Sequence, residues 1–239
     1  MNSHYVERVE TGILGLDELL DGGIPRGNSV LISGGAGTGK TTFGIQFLVD
    51  GIDRYEPGVF IQLEKYIHDL KKNMLHFGWD LAYLEEENKL RLMRLDMSEF
   101  GSLSEGEINI DQFFNRIRSA VEEIKAQRIV IDPISIMGSM YQSDFKFRSD
   151  LGELQHLLRG LNCTTLMTSD LVDEHMSGFN VEEFVAHGVI LLHYIKKDYM
   201  RLRGLEVRKM QGTDHSQDVH SMEITSTGLR VYSGAPVQL

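Results

Sequence analysis

The 239-residue chain has a single cysteine, Cys163, which excludes an internal disulfide. It lies in the apolar run "CTTLMTS" and reads as a small core residue, since free cysteine is among the most buried types. Prolines number only four, and there is no Pro/Ser-rich linker, low-complexity tract or long repeat. One domain over residues 1–239 is the expectation. Long apolar runs are missing too. The longest, "GVILLHYI" from Gly188, is far too short to span a bilayer, and Glu7, Arg8, Glu10, Asp17 and Glu18 break up any leader peptide. A soluble cytoplasmic protein without membrane contact is therefore expected. Positive charge is in short supply, with 24 basic against 35 acidic residues and a net charge of −11, a field that repels nucleic acid on average. The nine histidines show no H-x-x-H or H-E-x-x-H spacing, so a zinc site has little support.

What is present is alternation. Short β-rich runs, "SVLISG", "GVFIQLE", "LRLMRLD", "RIVIDPIS", "TTLMTSD" and "GVILLHYI", are separated by amphipathic stretches. The first five are apolar nearly throughout, which suits strands covered on both faces. Phe43, Phe47 and Leu48 share one helical face; Phe113, Phe114, Ile117, Val121 and Ile124 mark a second helix; Leu151, Leu154, Leu157, Leu158 and Leu161 mark a third. This predicts an α/β fold with a mainly parallel central sheet flanked by helices. From about Arg201, "LRGLEVRKM", "SMEITST" and "GLRVYSG" predict an antiparallel extension at the C-terminal end.

Gly34 to Thr41, "GGAGTGKT", satisfies G-x-x-x-x-G-K-[ST], follows an apolar strand and opens a helix, the context in which that spacing cradles phosphates. Glycines let the backbone N–H groups of the loop, including Gly37, Thr38 and Gly39, point at phosphate oxygens, and the helix start adds a positive end. Lys40 would reach the β- and γ-phosphates of ATP, and Thr41 would bind Mg²⁺. Asp132, closing "RIVID", would hold the Mg²⁺ hydration shell. Glu64, closing "GVFIQLE", would activate water, because ligands gather at the carboxyl ends of parallel strands.

Taken in order, these residues resemble the KaiC family of RecA-like P-loop ATPases, with RadA-like proteins as wider kin. "TGILGLDELLDGGIPRG", the "FGWDL" run, "NVEEFVAHGVILL", "EVRKMQGTDH" and "TSTGLRVY" carry the likeness from Thr11 to Gly234. The resemblance implies one RecA-like ATPase unit in a homo-oligomeric ring, usually a hexamer, with ATP and Mg²⁺ between neighbours. One subunit would supply Gly37, Thr38, Gly39, Lys40, Thr41, Thr42, Glu64 and Asp132. Its neighbour would bring Lys209, Thr213 and His215 to the phosphates, and Thr225 and Ser226 fall where the family contacts the ribose side.

Three positions depart from the pattern. Lys65 stands where a second glutamate is frequent. Gln211 replaces an arginine in the trans segment "KMQGTDH"; a finger arginine can account for roughly 10³–10⁵ in rate, about 4 to 7 kcal/mol of barrier. Glu183-Phe184 occupies the place of a phosphorylated Ser-Thr pair, so autophosphorylation of that kind is not expected. The expected function is a tight ATP binder with slow hydrolysis, acting as a regulatory switch on an unidentified protein partner. Two alternatives stay open. A recombinase-like or recombinase-mediator protein would bind DNA through Lys146, Arg148, Lys196, Lys197, Arg201 and Arg203, with Phe145 and Phe147 stacking on bases. A non-hydrolysing ATP scaffold is motivated by Lys65 and Gln211. Among the remaining conspicuous residues, His175, His187 and His193 read as surface or satisfied core groups. Trp79 reads as a packing anchor, and Glu85 to Asn88 as a solvated helix end.

Overall fold

The computed structural model describes residues 6–63, 68–102, 107–170, 181–197 and 200–236. The strands are Ser29–Gly34 (β1), Gly58–Gln62 (β2), Leu90–Arg94 (β3), Arg128–Asp132 (β4), Thr164–Asp170 (β5), Gly188–Lys197 (β6), Met200–Met210 (β7), Val219–Thr225 (β8) and Gly228–Pro236 (β9). They form one nine-stranded sheet in the order β9-β8-β7-β6-β1-β5-β4-β2-β3. β6, β1, β5, β4, β2 and β3 run parallel, and β7, β8 and β9 continue from β6 as an antiparallel meander. This is the parallel sheet with a C-terminal antiparallel extension that the residue pattern predicts.

The three long helices are Lys40–Asp53 (α1), Ile110–Ile124 (α2) and Asp144–Gly160 (α3). Side chains alternate across a strand, so each central strand feeds two cores. Val30, Ile32, Phe60, Val130 and Leu166 pack with Phe43, Phe47 and Leu48 of α1. Leu31, Val59, Ile61, Ile131 and Met167 pack with Phe113 and Ile117 of α2 and Leu151 and Leu154 of α3. Being covered twice is why these strands read as unbroken apolar runs. Helix α1 lies so close on β4 that a methyl group at Gly44 would sit 2.7 Å from Val130 Cγ1.

Three expectations need correction. β3 is an edge strand only partly covered: Leu90 and Leu92 are buried on one face and Met93 packs against the other core, but Arg91 and Arg94 are exposed. The fourth run stops at Asp132 because Pro133, joined by a cis peptide bond, cannot donate to a ladder. Glu85 is no simple solvated residue, since it accepts the Leu92 amide at 2.9 Å and pairs with Lys71 at 2.6 Å. Other readings hold. Cys163 is buried, and burial pushes its thiol up to about 12, away from reactivity. Trp79 stacks on Phe77 with ring centroids 5.0 Å apart. His187 accepts the Ser29 amide and His193 meets Glu206, whereas His175 lies outside the described residues.

One buried cation ties the layers together. Arg128 is 1% exposed, lies over the Phe47 ring, and bonds Glu56, Asp50 and the carbonyls of Phe47 and Glu10. Among the described residues no helix is long and apolar enough to cross a membrane.

Candidate nucleotide-binding site

The loop between β1 and α1 opens at the carboxyl end of the parallel strands. Gly37 (φ 76°) and Gly39 (φ 104°) hold the left-handed conformation that turns the backbone inward at little steric cost. No side chain caps α1 at Gly39, and its first bond runs from the Phe43 amide to the Gly39 carbonyl at 2.8 Å. The amides of Lys40, Thr41 and Thr42 are thus the open donors of a helix N-terminus, a setting that favours anions. The buried Thr38 hydroxyl donates to the Gly35 carbonyl at 2.9 Å and pins the loop.

The charged groups converge here. Lys40 Nζ donates to the carbonyls of Gly34 (2.8 Å) and Gly35 (3.0 Å) and pairs with Asp170 at 2.8 Å. The Thr41 hydroxyl donates to Asp132 Oδ2 at 2.7 Å, and the Thr168 hydroxyl donates to Asp132 Oδ1. Burial pushes the Asp132 carboxyl above its ordinary value, outweighing the hydroxyl bonds from Thr168 and Thr41 and the attraction of Lys40. Thr41 and Asp132 are hard oxygen donors of the kind that suit Mg²⁺. Thr168 and Asp170 were not singled out by sequence. Their strand, β5, sits between β1 and β4, so its end faces the loop and Asp132 at once. Asp170 closes "TTLMTSD" as Asp132 closes "RIVID", a signal that could have found it, whereas the adjacency that brings Thr168 here leaves no local trace. Glu64, the expected water-activating residue, lies outside the described residues.

The β8–β9 turn comes to the same end of the sheet. The side chains of Ile224 and Leu229 come within 3.1 and 3.4 Å of where a β-carbon on Gly39 would sit. Thr225 closes the turn through a bond to the Gly228 carbonyl at 2.8 Å, and Ser226 is exposed. Gln46 of α1 clamps this hairpin: its Oε1 accepts the Leu229 amide at 2.6 Å, and its Nε2 reaches the carbonyls of Gly12 and Leu229. β6 and β7 overhang the loop, where Arg203 lies over the Tyr194 ring and donates to the Gly37 carbonyl at 3.3 Å.

Lys209, Thr213 and His215 are elsewhere. Lys209 pairs in register with Val189, whose neighbour on β1 is Leu31, whereas the loop leaves β1 three residues later at Gly34. Its ammonium donates to the carbonyls of Ala186 (2.6 Å) and Glu183 (3.4 Å). Thr213 accepts from Arg8 at 2.9 Å, and His215 Nδ1 lies 2.8 Å from the Ser216 carbonyl. The chain brings Lys40, Thr41 and Asp132 together and keeps this trio away from its own loop.

The proposed base-stacking pair is corrected in part. Phe145 is 83% exposed, but Phe147 is 4% exposed and packs on Tyr141, so it has no free face for a base. Lys146 is bound to the buried Asp150 carboxylate at 2.7 Å.

A phosphate loop on the P-loop strand, an acidic strand end two strands away and an antiparallel extension define a RecA-like P-loop ATPase. The model of the KaiC ATPase family matches residues 9–235. The chain is 35% identical over 230 residues to the circadian clock oscillator protein KaiC of Synechococcus elongatus, covering 95% of this chain and 44% of that protein. It is 40% identical over 215 residues to the circadian clock protein KaiC3 of Synechocystis, covering 89% and 43%. The chain thus spans less than half the length of these two relatives. The crystal structure of a KaiC-like protein from the hyperthermophilic archaeon Pyrococcus horikoshii superposes with a TM-score of 0.82 at 38% identity, covering 95% of this chain and all of that one. The chain belongs to the KaiC family.

Proposed function

We propose that the chain binds Mg·ATP in the loop at Gly34 to Thr41 and hydrolyses it slowly. The sites form at the seams of a homo-oligomeric ring, expected to be a hexamer, that acts as a nucleotide-dependent switch on a protein partner. The observation that carries this is the convergence of Lys40, Thr41 and Asp132 at an uncapped helix start. Lys40 and the open amides of α1 bind the phosphates. The Thr41 hydroxyl and Asp132 would hold Mg²⁺, which supplies charge neutralisation at the β- and γ-oxygens. Glu64 is the proposed water-activating base. Lys209, Thr213 and His215, remote from their own loop, suit delivery to a neighbour's phosphates. Thr225 and Ser226, beside Gly39, suit the ribose side of the same chain's nucleotide. The switch role is supported by the clock proteins among the relatives.

Phosphate release and binding of a non-hydrolysable ATP analogue test the reading in parallel. Lys40→Ala should lose analogue binding, and Glu64→Gln should bind it while releasing no phosphate. Wild-type release no faster than that of Glu64→Gln would remove the ATPase. With Gln211 exposed and neutral, transition-state charge lacks a finger; Gln211→Arg should raise turnover at least about 10-fold. Unchanged or slower turnover would show that charge at this position does not limit the rate.

A further inference from the structure

The end of β2 carries a polar side chain with no role so far. Gln62 is the last residue of β2 and the register partner of Asp132 on β4. Phe60 and Val130, two residues earlier on the same strands, lie in the core beneath α1. Side chains two apart share a face, so Gln62 stands on the α1 side, beside the Asp132 carboxylate that Thr41 reaches at 2.7 Å. Its Oε1 is buried and accepts no hydrogen bond among the described residues. Such an orphaned acceptor costs roughly 1–3 kcal/mol unless a donor arrives.

With a cation beside Thr41 the Asp132 carboxylate is held ionised, and it already accepts the Thr41 and Thr168 hydroxyls, so it is not that donor. Two acceptors on adjacent strands, about 5 Å apart in backbone spacing, instead complement a water molecule. One hydrogen of the water goes to each, and its lone pairs are left facing a cation beside Thr41. We propose that Gln62 is a positioning residue: together with Asp132 it orients a water in the Mg²⁺ hydration shell. The assignment rests on the Mg·ATP reading above.

The test is binding of a non-hydrolysable ATP analogue to the full chain, titrated with Mg²⁺. Gln62→Met keeps length and apolar bulk but removes the acceptor. It should bind the analogue in EDTA like wild type, while the Mg²⁺ concentration for half-maximal enhancement rises about 10-fold, a scale typical of lost outer-shell partners. Gln62→Glu, which retains acceptors, should need no more Mg²⁺ than wild type. Gln62→Asn is the check should the Met variant fold poorly; its shortened amide should also raise the requirement. A wild-type Mg²⁺ requirement in the Met or the Asn variant overturns the assignment. If wild type itself does not bind the analogue, the nucleotide reading fails instead.

Discussion

Lys40 has three acceptors within the chain, two carbonyls and the Asp170 carboxylate, and a phosphate must displace at least one of them. Asp170 is the natural candidate, being half-exposed and of the same charge sign as the incoming group. Asp170→Asn should therefore tighten binding of the ATP analogue, by about 2- to 5-fold given the modest worth of an exposed pair. Calorimetric titration would read this directly, and weaker binding would mean that Asp170 helps the ligand rather than competing with it. The residues of this corner divide sharply in legibility. Lys40, Thr41 and Asp132 could be found because a local spacing, or a strand ending in a carboxylate, announces them. Asp170 carries the same signal, since it closes "TTLMTSD". Thr168 and Gln62 carry none: each stands at this corner only through which strands lie side by side, and Gln62 sits between Ile61 and Leu63 looking like a strand filler.

At the scale of elements, the strand cores were readable because double coverage demands uninterrupted apolar residues. "LRLMRLD" differs by the two arginines that interrupt it, and both are exposed on the strand at the sheet's edge. Helix α1 shows what lies beyond such patterns. Gln46 looks like an ordinary polar helix residue, yet its amide bonds the β8–β9 hairpin and the lead-in carbonyl of Gly12. Gln46→Leu leaves the Leu229 amide without its partner and should cost about 2 kcal/mol, read as a lowered unfolding midpoint. A second element-level tie is Glu56. Burial alone would raise its carboxyl, but hydrogen bonds and charge from Arg26 and Arg128 outweigh it and hold it below the ordinary value. The resulting stability is complete above the ordinary glutamate range and is lost as pH falls through the lowered value. Glu56→Gln should thus destabilise the protein by about 3 kcal/mol at neutral pH. The gap to wild type should narrow on acidification; a gap that stays constant in thermal melts down to about pH 3 would refute the charge assignment.

For the whole molecule, the separation of Lys40 from Lys209 makes a specific demand. If each site joins one chain's loop to the next chain's β7 end, then Lys40→Ala and Lys209→Ala chains are each inactive alone. Mixed and reassembled in equal amounts, they should regain about a quarter of wild-type phosphate release, because a quarter of random seams pair two intact halves. No recovery in the mixture would place both lysines on one chain's nucleotide. Mass measurement with and without the analogue would give the ring size independently. A practical corollary attaches to the Arg128 guanidinium, which takes the Glu10 carbonyl as one of its acceptors. Anyone shortening the gene so that translation begins at β1 would strip away that oxygen along with Ile13, Leu16 and Leu20, all essentially solvent-free. Such a trimmed product should emerge from cells as inclusion bodies, whereas an affinity tag placed ahead of residue 6 leaves every one of those contacts untouched.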